Sequence, residues 1–266
     1  MRKVVDGYLR SPFSGIAPWI LMSVLSSPGR FEEAVCFALG LVLMTMWVGS
    51  RRGITIHVLD IFGASFFVVL AGVGLFAPDG VIAWMETWAG ELTNIALALF
   101  VVGTLIARRP FTLPYAKEDT PEEYWTSSLF MKINYVISAV WAGAFTFSAI
   151  VGAIGIAVTD DPNDFWTGWI LQLAAIFFAV AFTEFYPDYA PAKESAAQGS
   201  PEAGPSFLEL VDWLPTFVLV VGIFGWVTDA LPAGLGVGMI AAGILGNAVM
   251  HNLTPSAREG PVVNEG

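Results

Sequence analysis

The side chains able to do chemistry fall into two sets. The first is the polar, aromatic run that separates two hydrophobic blocks, ARRPFTLPYAKEDTPEEYWTSSLFMKINY over 107–135. It holds Arg108, Arg109, Pro110, Phe111, Thr112, Tyr115 and Lys117, a candidate surface for a partner or for a phosphorylated lipid headgroup. The second set lies within or beside the hydrophobic blocks and comprises Asp60, Glu91, Asn94, Asn134, Glu184 and Asn247. Polar groups there are costly unless paired or hydrated, so each is a candidate for an interhelical hydrogen bond or a solute path.

Asp60 follows His57 by three residues, which puts both on one helix face. That spacing suits a pH-sensitive pair or two hydrated residues at a membrane boundary. Asp60, Glu91 and Glu184 are expected at or just inside span ends. With no Asp or Glu deep in a span, a proton relay lacks obvious steps. The amides Asn94, Asn134 and Asn247, with Glu91, would line a hydrated path if they converge.

Known catalytic signatures are missing. The chain has no G-x-x-x-x-G-K-[ST], H-E-x-x-H or G-x-S-x-G motif. Cys36 is the sole cysteine, which rules out an intrachain disulfide and thiolate metal clusters. His57 and His251 are too few for paired bis-histidine haem sites, and no lysine lies deep in the last helices to form a retinal Schiff base. The expectation is a protein that is not an enzyme, with no cofactor and no metal.

The elements that must position these residues are membrane helices. Of 266 residues, 56% are hydrophobic and only 13% charged, and the apolar residues come in blocks of the length that crosses a bilayer as a helix. The strict alternation of a transmembrane β-barrel is missing. The fold class is therefore all-α, a polytopic transmembrane bundle of about eight helices. The expected spans are 12–27, 31–49, 58–76, 91–107, 133–158, 165–185, 207–227 and 231–250. Pro18 and Trp19 in the short first span predict a kink or an interfacial anchor. Thr120 to Glu123 and Ser206 to Glu209 read as capping boxes, and Asp161-Pro162 as the opening of the sixth span.

Positive charge sets the expected orientation. With the N-terminus cytoplasmic, Arg2, Lys3, Arg10, Arg51, Arg52, Arg108, Arg109, Lys117, Lys132, Lys193 and Arg258 fall inside, leaving Arg30 alone of the 12 basic residues outside. The positive-inside rule then gives both termini cytoplasmic. Asp79, Glu86, Asp160, Asp161 and Asp164 fall in outside loops. The net charge of −11 argues against nucleic acid as a partner.

The expected organisation is a six-helix membrane block over 1–192 with its loop at 108–132. A flexible linker at 193–206, a hairpin at 207–253 and a polar tail at 254–266 follow. Gly234, Gly238, Ala242 and Gly246 recur every four residues along the last span. Such a stripe lets helices approach closely, so Gly234, Gly238 and Gly246 form a candidate homodimer seam or, more simply, a packing face within the chain. The expected partners are the lipid bilayer and other membrane proteins.

RRPFTLPYAKEDTPEEYW followed by INYVISAVWAGAF, with GIAPWIL near the start, resembles a group of mostly uncharacterised bacterial inner-membrane proteins. The residues carrying the likeness are Arg109, Pro110, Phe111, Thr112, Tyr115, Ala116, Asn134 and Trp141. More distantly, the pattern is similar to the intracellular septation protein A family. That resemblance implies a multi-pass inner-membrane protein acting in envelope integrity or division through contacts with other membrane proteins. The two additional C-terminal helices and the acidic linker depart from that family.

Overall fold

The computed structural model describes residues 7–9, 12–26, 29–199 and 204–253. The expected polar tail and part of the expected linker lie outside them. Among the described residues there is no strand, and seven helices are long and apolar enough to cross a membrane. The all-α, multi-pass class follows. Phe37, Trp47, Val69, Leu99 and Ile154 are exposed on these helices, as apolar side chains must be where the solvent is hydrocarbon.

The chain divides into two compact units, Met1–Ala175 and Ile176–Gly266. The first contains α1 (Pro12–Leu25), α2 (Phe31–Arg51), α3 (Val58–Phe76), α4 (Asp79–Ile106), α5 (Leu113–Asp119) and α6 (Ser128–Thr159). A π-helical turn at Phe165–Ile170 then opens α7 (Leu171–Ala197), which crosses the division. The second unit holds the rest of α7, then α8 (Trp213–Val227) and α9 (Ala233–Leu253).

α1 is too short to span alone: its 14 residues cover about 21 Å, against about 30 Å of hydrocarbon. It is a core helix. Gly15 sits against Leu59 and Gly63 against Trp19, so α1 runs parallel to α3. Trp19, expected as a kink or surface anchor, is 1% exposed. Its ring lies 4.9 Å from Phe66, 5.0 Å from Phe67 and 5.6 Å from Phe62. Burial of so large a ring is worth more to the protein than a place at the interface.

Two helix starts differ from expectation. α6 is capped by Ser127, whose Oγ accepts from Phe130 N at 3.1 Å. Thr120 to Glu123 leads only into a 3-10 turn at Glu122–Tyr124 without a side-chain cap. Asp164, not Asp161, opens the sixth span, accepting from Thr167 N at 2.8 Å. In each case the nearer polar residue wins because its oxygen reaches the third amide of the helix. Ser206 N donates to Glu209 Oε1 at 2.9 Å, one half of the box expected there. Lys193–Ala197 are helical, continuing α7.

α4 begins at Asp79, so Asp79 and Glu86, expected in a loop, are helical. Glu86 Oε1 accepts from Gly29 N at 2.7 Å, which holds this added stretch to the α1–α2 connection. Glu91 thereby moves from a helix start to a helix interior. At its other end α4 stops in a Schellman turn: Arg108 N donates to Leu105 O at 3.0 Å and Arg109 N to Thr104 O at 2.8 Å. Arg108 takes the left-handed conformation, φ 57°, at a place where glycine is usual.

The second unit is built on a close hairpin. A Cβ on Gly222 would meet Met239, one on Gly236 would meet Trp226, and one on Gly243 would meet Leu219. Gly234 and Gly238 have open space instead, while Gly246 faces Pro215. The intrachain seam is thus offset from the four-residue stripe read in the sequence.

Candidate functional site

α4 packs along α6 in the first unit. The buried face of α6 carries Asn134, Ser138, Trp141, Phe145, Ser148, Gly152 and Gly155, spaced by three and four as one helical face requires. Two polar clusters occupy this seam, with Trp141 and Phe145 between them.

The first cluster centres on Glu91, 5% exposed. Gln172 Nε2 donates to Glu91 Oε1 at 3.2 Å and to Thr167 O at 3.0 Å. Gln172 Oε1 accepts from Asn94 Nδ2 at 2.9 Å. Glu91 Oε2 and Ser148 Oγ are buried and have no hydrogen-bond partner. Gly152 leaves room for the carboxylate, since a Cβ there would overlap it. Likewise a Cβ on Gly155 would overlap Thr167. The π turn spaces Thr167 and Gln172 five apart along the chain and sends both toward the seam, a distortion often found at working sites.

Depth follows from helix rise. Glu91 lies about 22 Å from the Ile106 end of α4 at 1.5 Å per residue, and Gly152 about 10 Å from the Thr159 end of α6. The cluster is therefore buried nearer the acidic end of the unit, where Asp160, Asp161 and Asp164 lie. Asp164 Oδ1 accepts from Thr167 Oγ1 at 2.6 Å, and the Thr167 hydrogen bonds hold the Asp164 carboxyl below its ordinary value. The Thr167 hydroxyl meets Asp164 and its backbone carbonyl meets Gln172, so polar groups line the way from Asp164 to Glu91 without forming one continuous hydrogen-bond chain. Glu91 thus stays toward one end of its span, as expected, but it is buried between helices and lies within α4 instead of opening it, because α4 starts earlier than its hydropathy suggests.

The second cluster closes the arginine-bearing end. Thr112 Oγ1 lies 3.0 Å from Asn134 Oδ1, 3.1 Å from Asn134 O and 3.0 Å from Ser138 Oγ. Asn134 Nδ2 donates to Phe130 O at 2.9 Å. Beside it, His57 N donates to Asp60 Oδ2 at 2.9 Å, capping α3. Glu118 Oε1 lies 3.0 Å from His57 Nε2, and the Tyr115 ring stacks on the imidazole at 4.0 Å. Tyr115 Oη is buried without a partner. Burial first, then the Asp60 and Glu118 charges, raise the Tyr115 hydroxyl above its ordinary value.

The loop residues therefore divide. Pro110, Phe111, Thr112 and Tyr115 are buried, with Phe111 edge-on to Trp141 at 6.5 Å. Arg108 and Arg109 are exposed. Lys117 Nζ lies 4.8 Å over the Trp125 ring. Of the intramembrane candidates, Glu91 and Asn94 converge and Asn134 joins the other cluster. In the second unit Glu184 is exposed, and Asn247 Oδ1 accepts from Thr216 Oγ1 at 2.9 Å.

Gln172, Thr167, Ser148 and Gly152 are the members missed from sequence. Their signal was available: one glutamine inside a hydrophobic span, and small or polar residues in register with Asn134. Among the described residues no group of three or more His, Cys, Asp or Glu is placed to hold a metal. No family model, curated protein or solved structure matches the chain.

Proposed function

We propose that the chain is a non-enzymatic, multi-pass protein of the bacterial cytoplasmic membrane that moves a small cation through its first unit. Glu91 is the binding carboxylate of that path. The observation carrying this reading is a carboxyl buried between helices with one partnered and one unpartnered oxygen. An ionisable group inside a membrane span is expensive and is retained where it binds something. Trp141, Phe145 and Phe111 form the apolar block that a moving species must pass.

The test is electrical recording from proteoliposomes of the full chain during concentration jumps of H⁺, Na⁺ and K⁺. A current above that of protein-free vesicles, lost in Glu91→Gln, is expected. Wild-type currents equal to those of empty vesicles overturn the reading.

A second reading is support of envelope or membrane homeostasis through contacts with other membrane proteins. It draws on the exposed turn Glu122, Glu123 and Tyr124 and on the septation-family resemblance. Photocrosslinking from position 124 tests it, because Tyr115 faces inward. A specific trapped membrane protein supports this reading, and none counts against it.

A further inference from the structure

We propose that the species bound at Glu91 is a proton, and that it arrives from the Asp164 end. This rests on the carboxylate reading above and specifies what the carboxylate takes.

The ligand chemistry selects the proton. A hard cation needs several oxygen ligands. Around Glu91 the amide of Gln172 presents its N–H side, and Gln172 Oε1 is already occupied by Asn94 Nδ2. What remains is one acid oxygen, Oε2; the hydroxyl of Ser148, one turn from Gly152 on the facing helix, is likewise unpartnered and is not bonded to it. That set cannot complete a metal shell, but it accommodates a carboxylic acid. The step is Glu91–COO⁻ + H₃O⁺ → Glu91–COOH + H₂O, which forms one O–H bond at the carboxyl and returns the donor as water. Charge is removed from a site where it is poorly solvated.

The surroundings specify the route. From α6 the facing groups are Ser148 and Gly152, and from the π turn and α7 they are Thr167 and Gln172, none of them charged. α1, which also touches α4, has no titratable side chain. α2, a further neighbour, carries Glu32, Glu33 and Cys36 near this end, all exposed, and Arg51 at the opposite end; α3, which meets α4 through Phe62 and Phe100 at 4.7 Å, carries Asp60 at that opposite end, bonded to His57 N. The nearest acid on this side is Asp164: it accepts from the Thr167 hydroxyl, and Gln172 bridges the Thr167 backbone carbonyl to Glu91, so uncharged polar groups line the approach. Toward the arginine end, Trp141 and Phe145 intervene along α6 before Ser138 and Asn134. Access is one-sided in this conformation.

Infrared difference spectroscopy of the reconstituted full chain reads the site directly. The expected result is a carbonyl band of a protonated carboxyl that appears on acidification, shifts in D₂O, and vanishes in Glu91→Gln. In Gln172→Leu the band persists but its deuterium exchange slows at least several-fold. A titrating band unchanged by Glu91→Gln, or absent from wild type, overturns the proposal. So does exchange at an unaltered rate in Gln172→Leu, which removes the route. Ion currents without the band overturn the proton assignment and leave transport standing. The band without currents supports a proton site and removes transport.

Discussion

His57 and Glu118 lie 61 positions apart in the chain, yet Glu118 Oε1 sits 3.0 Å from His57 Nε2, with Tyr115 stacked on the same imidazole. This contact fastens the short α5 to the start of α3 and makes the central loop part of the core. Pro110, Phe111 and Tyr115 of that loop are used in closing one end of the helical unit.

Tyr115 separates packing from hydrogen bonding. Its hydroxyl is buried without a partner, and an unsatisfied polar group costs about 1–3 kcal/mol. Tyr115→Phe is therefore expected to leave stability unchanged or raise it by about 1 kcal/mol. Tyr115→Ala should lose about 3–5 kcal/mol, the range for deleting a large buried ring. Unfolding in mixed detergent measures both, and a destabilised Phe variant would mean that the hydroxyl is bonded.

Gly152 is expected to be intolerant of any side chain. A Cβ there overlaps the Glu91 carboxylate, whereas Gly143 on the same helix has open space. Gly143→Ala should be neutral or stabilising by up to about 1 kcal/mol. Gly152→Ala should destabilise by about 1–3 kcal/mol and displace Glu91. Thermal unfolding of the two purified variants makes the comparison, and equal melting temperatures would contradict the placement of Glu91.

Gly152 also illustrates what was legible beforehand. Helix class and the places of all eight expected helices follow from hydropathy, because lipid exposure demands long apolar runs, although α4 starts well before and α7 ends well after the expected bounds. The polar members of the seam on α6, Asn134, Ser138 and Ser148, sit at i, i+4 and i+14 spacing and could be read as one face. The partner face could not: Glu91 depends on where α4 starts, and Asp79 to Ala89 mixes two acids, two tryptophans and a glycine in a way that obscures the start of the helix. The burial of Phe111 and Tyr115 was hidden for a related reason. A Schellman turn normally announces itself by glycine, and here Arg108 occupies the left-handed position.

Asp164 predicts an acid-sensitive helix start. Its carboxyl is held below the ordinary value of 3.8 by Thr167. A depressed acid favours the folded state above its unfolded pKa, and that contribution disappears as pH falls through the folded value. Wild type should thus lose stability as pH drops below 3.8. Asp164→Asn keeps a capping oxygen and should lack that component, while Asp164→Ala should cost about 1 kcal/mol at neutral pH. Parallel slopes of melting temperature against pH for wild type and Asp164→Asn would refute the assignment.

The glycines of α9 distinguish an intrachain seam from a seam between copies. Gly243 meets Leu219 and the carbonyl of Pro215, leaving no space for a side chain, whereas Gly238 faces open space. Gly243→Leu should therefore destabilise the hairpin by at least about 1–3 kcal/mol through overpacking. Gly238→Leu should leave monomer stability unchanged. Gly246 is already taken up against Pro215; if Gly234 and Gly238 join two copies, Gly238→Leu should instead weaken dimerisation, because close backbone approach is what a small residue permits. Single-molecule photobleaching in vesicles counts the copies. A dimer population that Gly238→Leu leaves untouched would exclude this stripe as the seam, even with Gly243→Leu behaving as expected.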